Sequence, residues 1–258
     1  MRLMKRILSA AAVLALSASL LVGCSSGTAS SVPVSASSAA ESTVSSVEET
    51  ASSAVDENEA AAAQLLNDLT GSYQELWPVI LADEYKQTWL DDCTALVGEE
   101  NAEAAFEKLS SMVTSDVYGE DAVEAYANGG GAYFCGFTNS LATLTFDGET
   151  STISGTDKDG NVLFSHTYHY IGMEPVHGLY EFESDDADSG EFTYFFLAPD
   201  TSVETYHIEF RYGSDAEALS QYDTGEYAYW LASGISTDCD QTMIDNCIEL
   251  FCTENLAG

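Results

Sequence analysis

The chain has 258 residues, 43 of them acidic and 7 basic, for a formal net charge of −36. A surplus of that size excludes nucleic-acid binding and charge-driven attachment to anionic lipid, because both need a positive face. It suits a solvated exterior that attracts cations.

The first residues read as an export signal. Arg2, Lys5 and Arg6 form a positive patch, and Ile7 to Val22 is an apolar stretch rich in Ala, Leu and Ser. The stretch is too short for a stable membrane span and fits a signal peptide over 1–23. It ends Leu21-Val22-Gly23-Cys24, which resembles the lipobox of bacterial lipoproteins, where the Cys is acylated and becomes the new N-terminus. Acyl chains anchor through buried methylenes at about 0.8 kcal/mol each. The expected location is therefore the outer face of the cell membrane, extracytoplasmic, with the lipid on Cys24 as the membrane anchor. Cleavage leaves four basic residues, Lys86, Lys108, Lys158 and Arg211, against the same 43 acidic ones, a net charge of −39.

Residues 24–58 read as the lipidated Cys and a Ser/Ala-rich tether without Trp, Tyr, Phe or Leu. Such a composition buries too little surface to offset its conformational entropy and predicts disorder. One domain over 59–258 follows. From Glu59 to about Asn128 the pattern is helical, with Leu65, Leu66, Leu69, Tyr73, Leu76, Trp77 and Ile80 at three- and four-residue spacing and Pro78 as a break. From Ala132 to Tyr212 the period changes to two. Strands are predicted at Leu141 to Phe146, Thr150 to Ser154, Val162 to Met173, Gly178 to Glu183, Phe192 to Leu197 and Val203 to Tyr212. The chain is helical again at Ser214 to Tyr222, and Gln241 to Glu254 forms a last helix capped by Asp238 or Asp240. Helices, an antiparallel meander and helices again predict a mostly β protein, the meander closing as a small barrel or a strongly curved sheet.

Five cysteines remain besides Cys24: Cys93, Cys135, Cys239, Cys247 and Cys252. None of their spacings makes a CxxC motif, and an export route permits disulfides. The odd number leaves at least one free thiol unless chains pair. Most are expected to be buried and apolar.

Catalytic patterns are absent. The sequence has no GxSxG elbow and no HExxH, and the protein is not expected to be an enzyme. Asp157-x-Asp159-Gly160-Asn161 resembles part of an EF-hand loop, but Gly155 and His166 stand where that loop needs carboxylates. Of the four histidines, His166 and His169 lie three apart on one predicted strand and so on opposite faces. His207 and Glu209 are two apart on a strand and share a face. Imidazole and carboxylate together suit zinc or a similar divalent ion, although a zinc site wants three or four protein ligands. The competing reading pairs Glu209 with Arg211 at the surface.

The order of these segments resembles the ZinT/YodA family of extracytoplasmic metal-binding domains. The resemblance runs from Leu69-Thr70-Gly71-Ser72-Tyr73-Gln74-Glu75-Leu76-Trp77-Pro78 through Gly178-Leu179-Tyr180-Glu181-Phe182-Glu183 and Ala198-Pro199 to His207-Ile208-Glu209-Phe210-Arg211-Tyr212-Gly213-Ser214-Asp215. Tyr227 to Trp230 falls where the family has a further aromatic block. The resemblance spans roughly residues 60 to 255 in order. It implies a lipocalin-like (calycin) barrel with N-terminal helices and a C-terminal helix, and zinc or another divalent metal ion as cargo for a metal ABC uptake transporter. The family's paired histidines fall on His207 and Glu209. The third falls near Phe195, which cannot bind metal, so His169 on a neighbouring strand is the expected substitute. Two other readings are a lipocalin-like barrel binding a small apolar ligand, and a surface module with no metal.

Overall fold

The alternation of apolar and polar residues beyond Ala132 is realised as antiparallel strands. The computed structural model describes residues 57–114, 116–198 and 207–256. The predicted signal peptide, Cys24, nearly all of the tether and residues 203–206 of the last predicted strand lie outside these. Eight strands follow in chain order: β1 (Gly71–Glu75), β2 (Thr143–Asp147), β3 (Thr152–Thr156), β4 (Val162–Met173), β5 (Tyr180–Ser184), β6 (Tyr194–Leu197), β7 (His207–Gly213) and β8 (Ala232–Ser236). Each pairs with its neighbours, and β1 pairs with both β2 and β8, closing a barrel. Full closure leaves no open sheet edge. Long β4 gives its first half to β3 and its second half to β5, which staggers the sheet as a barrel requires.

Helices flank the barrel. Residues 57–68 form α1. Then come α2 (Leu76–Ile80), α3 (Lys86–Val97), α4 (Ala102–Met112), α5 (Glu120–Ala127), α6 (Ala216–Leu219) and α7 (Gln241–Leu256). Asp215 caps α6 by accepting from the backbone N–H groups of Glu217 and Ala218. Asp240 accepts from Met243 N at the start of α7, 3.0 Å. Both fit the preference for a short acceptor side chain at a helix entrance.

Two strands differ from the sequence reading. β1 interrupts a stretch read as helix. Leu69, Tyr73 and Leu76 keep helical spacing, but Tyr73 faces the barrel interior from a strand paired with Leu144 and Ser236. Pro78 then sits in the first turn of α2, where its missing N–H costs no hydrogen bond. β8, with the sequence Ala-Ser-Gly-Ile-Ser, is an unpredicted strand. Its inward residues Ala232 and Gly234 are small, so the usual apolar signal is missing.

Two large apolar clusters result, beside a small third one of Ala122, Ala228 and Tyr229. The first fills the barrel with Leu144, Phe146, Ile153, Phe164, Tyr168, Phe182, Phe195, Phe210, Tyr212 and Trp230. Its rings pack on one another, Phe164 on Phe192 at 4.0 Å and Phe195 on Tyr212 at 5.4 Å between centroids. The second lies between the outer face and the helices and contains Trp77, Ile80, Trp89, Cys93, Leu109, Cys135, Ile235, Ile244, Cys247, Ile248 and Cys252. Trp89 donates from Nε1 to the Ile80 carbonyl at 2.7 Å, tying α3 to the end of α2. Two glycines are required by close approach. A Cβ on Gly148 would meet the Asn67 backbone at 2.4 Å, and one on Gly155 would meet Leu141 and Phe164 inside the barrel at 2.4 Å.

Candidate functional site

β7 carries the candidate residues. Ile208, Phe210 and Tyr212 belong to the barrel core, so His207, Glu209 and Arg211 face outward. Across the ladder His207 stands opposite Ile235 and Glu209 opposite Ser233 on β8. Both candidates are half-buried. Ser233 donates its backbone N–H to the Cys135 carbonyl at 2.9 Å, which brings the 134–138 segment up beside this part of the sheet. Burial pushes the Cys135 thiol up to about 12, and the Glu209 charge adds to the rise. The same two causes push Cys247, on α7, up to about 12. His207 and Glu209 therefore sit on the helix-covered side of the barrel, with two thiols that stay protonated at neutral pH.

Arg211 does not pair with Glu209. It is fully buried and donates to the backbone carbonyls of Leu219, Gln221 and Tyr227, while its guanidinium lies 4.3 Å from the Tyr222 ring centroid. Tyr222 in turn packs on His177 at 3.9 Å between centroids. His177 belongs to the turn after β4, where fully buried Glu174 accepts from the N–H groups of Val176 and His177 at 2.9 and 2.6 Å. Burial holds the His177 imidazole below its ordinary value; Glu174 opposes that shift and Arg211 adds to it. Sequence reasoning missed this cluster, because Arg211 looks like an exposed neighbour of Glu209 until the chain after β7 folds back over it.

The structure does not bring His169 to His207 and Glu209. The neighbouring-strand placement is corrected: β5 and β6 separate β4 from β7. His169 is exposed, and its Nδ1 lies 2.7 Å from Asp185 Oδ1. His166, on the opposite face of β4, pairs in the same way with Asp186 at 2.9 Å. Phe195, where the third family histidine would fall, is fully buried in the barrel core. Among the described residues, no group of three or more His, Cys, Asp or Glu side chains is arranged to hold a metal ion. Among the same residues, no helix is long and apolar enough to cross a membrane.

A closed eight-stranded antiparallel barrel with flanking helices before and after its strands is a lipocalin-like, or calycin, architecture. Among solved structures the chain is similar to the Zn(II)-bound ZinT-like domain of Streptococcus pneumoniae AdcA, at 15% identity over 70% of this chain and 87% of that one, TM-score 0.44. It is also similar to Zn(II)-bound AdcA from Streptococcus pneumoniae, at 14% identity over 71% of this chain and 34% of that one, TM-score 0.41. No family model and no curated protein matches the chain.

Proposed function

We propose that the protein is an extracytoplasmic lipoprotein that captures zinc, or a similar divalent ion, and passes it to a metal uptake transporter. One observation carries the reading. His207 and Glu209, the pair on which the ZinT/YodA resemblance places metal ligands, lie half-buried on one outward face of β7 under the helical layer. Imidazole nitrogen and carboxylate oxygen are a competent zinc pair. Two protein donors leave the other positions of a four-coordinate ion to water, which suits an ion that is handed on rather than kept. Zn(II), the ion in the AdcA structures, is the ion proposed. The strongly acidic chain favours cation encounter. Residues 1–23 act in export, Cys24 carries the lipid, residues 25–58 are the tether and residues 59–258 form the binding domain.

The test is calorimetric zinc titration of residues 59–258 beside His207→Ala and Glu209→Ala. The expected result is one ion per domain, with each substitution weakening binding at least about tenfold. Equal binding by all three proteins would place the ion on the acidic surface at large and overturn the assignment. The apolar-ligand reading asks for a cavity inside the barrel, where the aromatic rings pack on one another.

A further inference from the structure

Cys93 on α3 and Cys252 on α7 are both fully buried, and their sulfurs lie 3.9 Å apart. The two residues are separated by 159 positions in sequence and are brought together by the packing of α3 on α7. We propose that Cys93 and Cys252 form a disulfide in the exported protein, fastening the last helix to α3.

A disulfide needs its sulfurs about 2 Å apart, so closing the pair calls for a shift of roughly 2 Å. The surroundings are apolar, and a disulfide, like a neutral thiol, is uncharged and suits them. Trp89 and Phe251 pack edge to face beside the pair at 5.7 Å between centroids, in an apolar setting that disfavours thiolates. Burial raises both thiols, Cys252 further than Cys93. The two helices also present like charges to each other. Desolvation together with Glu249 and Asp245 on α7 pushes the Asp92 carboxyl of α3 up. A covalent link would hold together two helices whose carboxylates repel.

The closed loop runs from α3 to α7 and contains β2 to β8, seven of the eight strands. A cross-link of that span removes much of the freedom of the unfolded chain. All five cysteines after Cys24 stand as thiols in the structure, and the bond would leave three of them, Cys135, Cys239 and Cys247, in that state.

The oxidant is a low-molecular-weight or protein disulfide. One protein thiolate attacks it to give a mixed disulfide and release one thiol. The second protein sulfur then displaces the other, forming the Cys93–Cys252 bond as the donor disulfide is reduced to two thiols. Because both sulfurs are buried in the fold, the reaction belongs to folding rather than to the finished domain.

The test refolds the full reduced chain in a buffer of reduced and oxidised glutathione. The sample is acid-quenched, alkylated in denaturant and digested without reductant for mass spectrometry. The expected product is a Cys93–Cys252 linked peptide pair, with Cys135, Cys239 and Cys247 alkylated. Alkylation of both Cys93 and Cys252, or their linkage to other cysteines, overturns the proposal. A melting curve gives a second readout. Dithiothreitol should lower the melting temperature of the refolded protein on the order of 10 °C, and it should leave Cys93→Ser unchanged. Equal melting of the wild-type protein with and without reductant overturns the proposal, and the peptide map decides it even where the Cys93→Ser protein fails to fold. Refolding in vitro makes the outcome independent of whether the chain is exported.

Discussion

The two faces of β7 are built on opposite principles. Inward, Ile208, Phe210 and Tyr212 join an aromatic core whose rings stack on one another. Outward, His207, Glu209 and Arg211 meet the helical layer and the chain segments that fold over the barrel. The inner face is held mainly by apolar area and shape, with the Tyr212 hydroxyl accepting from Thr138 N and donating to the Thr138 carbonyl. The outer face combines buried carbonyl acceptors, thiols, a buried carboxylate and a buried guanidinium, and it is held largely by hydrogen bonds to buried groups. Truncation therefore costs volume on the inside and hydrogen-bond satisfaction on the outside.

Arg211→Ala should produce the largest outer-face loss. It strips the donors from the Leu219, Gln221 and Tyr227 carbonyls in a buried setting, and about 3–5 kcal/mol of stability should disappear in a denaturant titration. Arg211→Lys should recover little of it, because a point ammonium cannot serve three separate carbonyls as a planar fork does. Full recovery by Lys would show that charge alone matters there.

Phe195→Ala sharpens the comparison from the inside. Phe195 is fully buried among Phe164, Tyr168, Phe210 and Tyr212, and its truncation should cost about 3–4 kcal/mol. If the proposed zinc site holds, its affinity should be unaltered wherever the variant remains folded, since Phe195 points into the barrel core and His207 and Glu209 lie on the outward face of β7. A coupled loss of affinity would break the separation of the two faces.

Trp89→Phe removes one hydrogen bond, to the Ile80 carbonyl, while keeping most of the ring; a loss of about 1 kcal/mol is expected by thermal or chemical unfolding.

The smallest effect concerns pH, and here the two outer regions move in opposite directions. The folded state holds His177 below its ordinary value, so it takes up fewer protons than the unfolded chain near and below pH 6.5. Its contribution is present above the unfolded value and is lost as pH falls through that value toward the lower folded one. Asp92 is held above its ordinary value in the folded state, so its contribution improves as pH falls through the raised value and fades as pH rises. Asp92→Asn should accordingly stabilise the protein at neutral pH by about 0.5 kcal/mol, a figure discounted for solvent screening, and should flatten the acid side of the stability profile. A destabilised Asp92→Asn would show that the carboxylate has a partner worth more than its repulsion by Asp245 and Glu249.

Much of the barrel was legible in the residues. Val162 to Met173 reads as one long strand and is one, since aromatic and polar residues alternate through its middle, from Phe164 to Tyr168. Gln241 announces α7, and Asp215 and Asp240 serve as its kind of residue usually does at a helix entrance. β1 was hidden because Tyr73, its one aromatic residue, keeps helical spacing with Leu69 and Leu76 on either side, and β8 because its inward residues include Ala232 and Gly234. In both, pairing with neighbours far away in sequence decided the conformation.

The same division holds at the site. Period two along β7 put His207 and Glu209 on one face by sequence alone, because side-chain direction in a strand is a local property. Closure of the barrel was decided only in three dimensions. It set β5 and β6 between His169 and that face, turned Arg211 away from Glu209 into a nest of carbonyls, and brought Cys93 to Cys252 across 159 positions. Local geometry follows from neighbouring residues, whereas these meetings depend on which distant segments share a ladder or a helix interface.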